Sequence, residues 1–482
     1  MAKWQIEINN LALGGFAPAW YKETYPSYGN KNHAGTMTNV DLTNAGFISQ
    51  GPGLANLTNG TEAAAVTTLM KGILDAAVTA DVTYGTGGNK LYKMSSTAIT
   101  NAGDWPHTID KAAVTAELGE DVAHYKGNLY YSYNHSGSLG DIGKFDLSAT
   151  FDDDYMSTVP SGMNTLTGGV PHQMKAAGND VLYIANGIYI SSFDGTTFIQ
   201  QALDLPTGTV IQSIAWNADR LWIAANRPDL TGSNKNTASI YVWDGTTNSW
   251  ELEIKLMGTV GGLHVKNGIL FVFYRDISST GGYKLGYVNG SLITDLANYT
   301  GGLPAFYQIT DYKDFIIWNS EGLIFAFGSG DKDLPVRLFQ LADGGYSTIG
   351  GLVCPFGTPL IASTESTSYK LAQFSGLDVT SNWKSLMFDI TGAGRVSKIN
   401  MVRINFEALA SGARVDWKLL NNKGTTIYSD IISFARFGAV TTGYFPVNGK
   451  VSENFRVELD YTSGSTSNSV KVKNIKIYGT VD

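Results

Sequence analysis

The chain has 482 residues, of which 43% are hydrophobic and only 16% charged, against about 25% charged in an average soluble domain. Its 55 Gly and its 21 Phe, 25 Tyr and 10 Trp exclude a disordered chain, because that much apolar area offsets chain entropy. A net charge of −8 argues against a basic nucleic-acid binder, and the single cysteine, Cys354, excludes a disulfide framework or a cysteine-rich zinc site.

The first ten residues alternate polar and apolar side chains and lack the apolar core of a signal peptide. No run reaches the 18 apolar residues of a membrane span. These features point to a reducing cytosol as the place of synthesis. From Leu13 to Gly35 the chain mixes Gly, Pro, Tyr, Trp and Asn without a period. Residues 1–45 therefore read as an extended arm. Trp20, Tyr21, Tyr25 and Tyr28 are its candidate contacts, either with the arm's own propeller or with a neighbouring subunit.

A repeat follows. Short apolar strands begin at Val82, Leu129, Leu182, Leu221, Leu270, Ile316 and Leu360, at steps of 47, 53, 39, 49, 46 and 44 residues. A second strand often ends in an aromatic and a turn pair, as in Phe193-Asp194-Gly195 and Trp243-Asp244-Gly245. Asp-Gly and Asn-Gly pairs suit two-residue hairpin turns. A small apolar strand precedes each unit, as in Val260-Gly261-Gly262-Leu263. Four strands in about 45 residues is the period of a propeller blade. Gly and Ala suit the crowded axis, and aromatics fill the gaps between blades. Residues 46–380 thus read as a seven-bladed β-propeller, with six blades plus one irregular unit as the alternative. Gly46 to Gln50 is the candidate strand for closing the ring.

From about Trp383 the pattern changes to period-2 strands such as Arg414–Leu419 and Phe455–Tyr461. Such strands have one wet and one buried face. Residues 381–482 read as a β-sandwich of jelly-roll type, so the whole chain is all-β. Residues 379–482 hold 13 Lys and Arg against 8 Asp and Glu, a net of +5, which leaves −13 for the remainder.

Chemistry is sparse. No phosphate loop, nucleophile elbow or zinc-binding histidine pair is present. Cys354, beside Val353 and Pro355, reads as an inert thiol. Asp152-Asp153-Asp154 and Asp331-Lys332-Asp333 read as solvated turns and not as Ca²⁺ sites, since neighbours in an extended strand point apart. Segments around Asp194 and Asp244 fall short of the Asp-box of sialidases, and the blade units carry only Arg220, Arg227, Arg275 and Arg337. Catalytic, metal and cofactor-binding residues are therefore expected to be none. Trp383, Trp417, Tyr428 and Tyr444 are candidates for stacking on glycan, against interior packing as the ordinary role of aromatics on alternating strands.

The blade repeats, the Gly51-Pro52-Gly53 turn and the closing Lys473-Asn474-Ile475-Lys476-Ile477-Tyr478-Gly479 together resemble virion structural proteins of tailed bacteriophages. The likeness is to the tail hub or nozzle propellers of short-tailed phages. It covers nearly the whole chain as a pattern and carries over no functional residue. It implies a non-enzymatic virion protein assembled in the host cytoplasm. The expected partners are further copies in a cyclic homo-oligomer and other tail or connector proteins, with DNA passing unbound through the ring. A carbohydrate-binding adhesin or receptor-binding protein is the alternative, and a propeller glycosidase the second.

Overall fold

The computed structural model describes the chain apart from residues 1, 10, 12–33, 45, 64–69, 112–116, 136–138, 159–164, 228–236, 277–281, 330–336, 344–347, 366–367, 379, 390–396, 453, 463 and 482. Trp20, Tyr21, Tyr25, Tyr28, Asp331 and Asp333 lie outside the described residues.

The architecture is all-β: a seven-bladed propeller and a two-sheet jelly roll. Each apolar strand that the sequence repeat marks is the second strand of a blade. These strands are Thr83–Gly87, Asn128–Asn134, Leu182–Asn186, Arg220–Arg227, Ile269–Asp276, Phe315–Ser320 and Leu360–Glu365. Each pairs with an inner strand on one side and a third strand on the other. The inner strands are Met70–Ile73, Leu118–Tyr125, Met174–Ala176, Val210–Asn217, the second half of Leu252–Lys266, Ile309–Tyr312 and Thr348–Val353. They contact one another in order around a closed ring, the last touching the first. Small residues permit this crowding: a Cβ on Gly72 would lie 2.3 Å from Cα of Asp121 in the next blade. Between blades the fill is aromatic, as with Tyr84, Tyr131, Tyr133 and Phe145 at the interface of blades 1 and 2.

The ring closes through Pro52–Ala63, which pairs antiparallel with Ser368–Leu377 as the outer strand of blade 7. The closing strand thus begins just after the expected Gly46–Gln50. Of that segment, Ser49–Gln50 pairs with Val40–Asp41, and Ile48 bridges to Val472 of the jelly roll. The physical reason is burial: Leu57 fits between blades with Leu360, Leu371 and Met70, whereas Ile48 belongs to the jelly-roll core.

Residues 1–45 are not a separate arm where they are described. Ala2–Ile8 pairs in full register with Val472–Val481, from Ala2 opposite Val481 to Ile8 opposite Ile475. Ala34–Thr38 pairs with Asn382–Ser385. The alternation of the first residues is that of a jelly-roll strand with Ile6 and Ile8 inward. Counting jelly-roll strands in chain order, one sheet runs first, eighth, third, sixth and the other second, seventh, fourth, fifth, with Ala34–Thr38 added at an edge. This is jelly-roll order, with the first strand taken from the N-terminus. The propeller is therefore an insertion between the first and second jelly-roll strands. At the crossing, Asn39 donates to Asp378 (3.0 Å) and Thr380 (2.6 Å) and accepts from Gln340 (2.9 Å), so incoming and outgoing chains are tied to blade 6.

The turns after Phe193 and Trp243 also differ from expectation. They are longer loops, of four residues (194–197) before Phe198 and eight (244–251) before Leu252. Asp194 Oδ1 accepts from the amides of Thr196 and Thr197, both at 2.8 Å. Asp244 Oδ1 does the same for Thr246 and Thr247. An aspartate that satisfies two turn amides replaces the tight primed turn. Gly290-Ser291 is a true two-residue turn, with Asn289 opposite Leu292.

Candidate functional site

The inner strands carry a recurring polar device. In one blade a side chain accepts the backbone N–H of the next blade's inner strand. Asp121 accepts from Met174 (2.7 Å), Gln173 from Ile214 (2.6 Å) and Ser213 from Leu263 (3.0 Å). At the corresponding step Gly72 replaces the polar residue by direct backbone approach. These groups zip blades together, a use that strand patterning alone does not reveal.

Beside this zipper, Lys71 and Glu120 meet at 3.1 Å across blades 1 and 2. Glu120 also accepts from Asn134 at 3.1 Å. Lys71 and Glu120 stand one residue before Gly72 and Asp121, at bulges of the inner strands. The 3-10 turn Phe306–Gln308, before blade 6, packs against the inner strands of blades 1, 5 and 7. The Tyr307 hydroxyl senses both Lys71 and Glu120, and burial raises its pKa. Side chains therefore occupy the propeller axis.

Asp121 is fully buried, and burial pushes its carboxyl up to about 7, against the lowering by its bonds from Met174 and Val122. In the unfolded chain an aspartate titrates near about 4. The folded state therefore holds a proton between about pH 4 and 7 that the unfolded chain releases. Stability from this group is present below that window and lost as pH rises through 7, by at most about 4 kcal/mol. Asp121→Asn is expected to flatten this slope in urea unfolding measured at pH 5 and pH 8. An unchanged slope would place the titration elsewhere.

The densest polar cluster lies between blades 1 and 2. Gly143 has no side chain, which lets the Tyr131 ring cross the third strand of blade 2. Tyr131 then hydrogen-bonds to Asp153. Asp153 also meets His107 at 3.1 Å and accepts from the amide of Asp110 at 3.1 Å. His107 stacks on Phe151 with centroids 3.8 Å apart. Burial raises the Asp153 pKa, but bonds from His107, Tyr131 and Asp110 outweigh it and hold the group below its ordinary value. Next to it, buried Asp141 binds Lys111, accepts from Ser157 at 2.8 Å and keeps a raised pKa through burial. Lys111 also reaches Asp154 at 3.3 Å. Asp153 is thus a packed hydrogen-bond hub and not the solvated turn that its run of acids suggests. Among the described residues no group of three His, Cys, Asp or Glu has the geometry to hold a metal ion.

In the jelly roll, Trp383 and Trp417 are wholly buried. They cannot stack on glycan, which corrects the expectation for these two. Both sit on inward positions of alternating strands, where indole area is worth most in the core. Tyr428 is half-buried against Trp417, with centroids 5.4 Å apart. Of the four only Tyr444 is open, 57% exposed, with the Arg403 guanidinium 5.4 Å from its ring. Cys354 has its thiol pushed up to about 11 by burial first and by Asp311 second, so it stays protonated near neutrality.

The fold and these sites define an all-β protein that joins a closed propeller to a jelly roll. No family model and no curated protein matches the chain. Among solved structures, it is similar to the extracellular domain of a putative hybrid two component system from B. thetaiotaomicron. There the identity is 11% and the TM-score 0.45, over 75% of this chain and 44% of that one. The chain thus spans less than half the length of that structure. The extracellular domains 1-2 of Drosophila Semaphorin 1a match at 10% identity and TM-score 0.42, over 67% of this chain and 88% of that one. The soluble aldose sugar dehydrogenase from Escherichia coli matches at 12% identity and TM-score 0.37, over 67% and 98%.

Proposed function

We propose that the chain is a non-enzymatic structural protein of a virion, a tail hub or nozzle component that forms a cyclic homo-oligomer around the DNA channel. The observation that carries this reading is how the polar groups are used. The carboxylates of the inner strands and of the blade 1–2 interface bind amides, lysines and tyrosines of the fold itself. Together with a ring closed by Pro52–Ala63, this makes a stiff building block without a long free edge in the ring. Because Lys71, Glu120 and the turn at Phe306–Gln308 fill the propeller axis, DNA would pass between subunits and not through a propeller. A net of −13 outside residues 379–482 keeps phosphates from sticking. Native mass measurement of the purified chain and of intact particles tests the reading. A cyclic oligomer present in particles is expected, and a chain absent from particles rejects it.

A second reading, a carbohydrate-binding adhesin, is favoured by exposed Tyr444. Selective glycan binding by the full chain, lost in Tyr444→Ala, would support it. A glycosidase needs two carboxylates placed on either side of one bond. The acid at the axis, Glu120, is paired with Lys71, and its neighbour Asp121 binds the amide of Met174.

A further inference from the structure

The first-to-second and third-to-fourth strand turns of every blade emerge on one face of the ring, because the strands alternate in direction. The jelly roll occupies this face at blades 6 and 7. Leu377 donates to Thr466 (2.8 Å), and Lys313, in the first turn of blade 6, donates to Thr43 (2.9 Å). Among the described residues, Asp81, Asp104, Asp180, Asp194 and Asp219 are exposed on the same face at blades 1 to 4, and its turns are mostly acidic. Asp81 and Asp104 stand there in blade 1, Asp146 in blade 2, Asp180 and Asp194 in blade 3, and Asp219, Asp244 and Glu251 in blade 4. Lys126 in the first turn of blade 2 takes Asp180 (2.9 Å) and Arg220 takes Glu251 (2.7 Å), which leaves the other acids in excess. Residues 74–194 hold 14 Asp and Glu against 6 Lys and no Arg, a net of −8. The carboxylates of Asp146, Asp194 and Asp244 accept turn amides and are held below their ordinary pKa by those bonds.

The jelly roll shows the opposite sign on one surface. The sheet that contains Ala2–Ile8 buries Ile6, Ile8, Val402, Ile404, Ile475 and Ile477 on its inner side. Its outer side and margin carry Lys3, Lys398, Arg403, Lys471, Lys473 and Lys476 against Glu7 and Glu407, or +4 of the +5 of residues 379–482 together with the first strand's balanced Lys3 and Glu7. Glu7 is taken by Lys476 (2.5 Å) and Glu407 by Lys471 (3.2 Å) and Lys473 (3.6 Å). Lys3, Lys398 and Arg403 have no acidic partner among the described residues. Register places Glu7, Lys476, Arg403 and Tyr444 in one row across all four strands. Pro446 and Met401 lie in the next row. Tyr444 and Pro446 are exposed there. Pro446 also removes a donor from the edge strand, so the edge itself is blunted and the face is the available surface.

We infer that this basic, tyrosine-bearing sheet face docks on the acidic turn face of blades 1 to 4 of a second copy of the chain. The inference rests on the oligomeric reading above and names its contact. The two surfaces differ, so the contact is head-to-tail: it closes into a ring if the rotation between copies permits, and otherwise extends. Opposite charge over both surfaces makes the contact sensitive to salt.

Sedimentation of the full chain at 50 and 500 mM NaCl tests this, with two variants whose melting is compared with wild type. Lys398→Glu/Arg403→Glu alters the sheet face. Asp81→Lys/Asp104→Lys alters exposed turn residues of blade 1. Wild type is expected to assemble at low salt and fall to monomer at high salt. Each variant should lose assembly at low salt by tenfold or more while melting as wild type does. Mixed together, the two variants should form dimers only, because just one intact surface of each kind remains. Assembly unaffected by either variant, or a mixture that forms no dimer, overturns the docking map. If the chain is then still found as an oligomer in particles, the structural reading stands without it. A chain monomeric at both salts and absent from particles removes both.

Discussion

Deleting residues 1–9 is expected to collapse the jelly roll, although these residues lie more than 370 positions from its second strand in the chain. The deleted strand supplies Ile6 and Ile8 to the core, and Trp4 packs on Phe455 with centroids 6.2 Å apart. Removal of one large buried side chain typically costs about 2–5 kcal/mol, so losing Ile6, Ile8 and the partly buried Trp4 takes away an amount comparable to the whole stability of an ordinary domain, about 5–15 kcal/mol. The backbone of Val472–Val481 would also lose one of its two pairing partners. The expected result is loss of the jelly-roll transition on heating and rapid amide exchange in Asn454–Asp460. A synthetic peptide of residues 1–9 should restore both. A truncated chain that melts as the full one does would show that the first strand is a dispensable arm.

Leu57→Asp is expected to open the propeller ring. Leu57 is buried among Met70, Leu360 and Leu371, where blade 7 meets blade 1. A carboxylate there has no partner, and an unpaired buried charge costs several kcal/mol or forces local unfolding. The strand Pro52–Ala63 is the last link of the ring, so its release exposes the edge of Ser368–Leu377. Amide exchange should rise in blades 1 and 7 before the jelly roll changes. Ile48→Asp provides the contrast. It belongs to the jelly-roll core and should melt that unit first. The opposite order would return ring closure to residues 46–50.

The blade repeat was legible because second strands are mostly buried on both sides and so stay largely apolar, least so in Thr83–Gly87 of blade 1, which buries Thr83 and Thr86. Runs such as Leu182-Tyr183-Ile184 and Ile316-Ile317-Trp318 are completely or almost completely buried. The jelly-roll strands were legible for a related reason: one face is wet, so their side chains alternate. What resisted reading were the residues whose role depends on a neighbour far along the chain. Asp153 looked like part of a solvated acidic run until His107 and Tyr131 were brought to it. Trp383 and Trp417 look alike in sequence whether they face solvent or core, and Tyr444 differs from them only in pointing outward. The inner-strand acceptors Asp121, Gln173 and Ser213 carry no shared motif, because an acid, an amide and a hydroxyl can each accept one amide hydrogen.

Local pattern by itself determined that the chain is built of short strands in repeated groups of four, followed by an alternating sandwich, since both follow from which side chains must leave water. Tertiary structure alone decided that the two ends of the jelly roll are gathered from opposite ends of the chain, with the propeller inserted between them. It also decided that Pro52–Ala63 completes blade 7. Strand pairing joins backbone groups that are the same in every residue, so a strand's composition shows that it needs a partner without showing which one. That choice is made by fit of side chains such as Ile8 and Leu57 into particular cores.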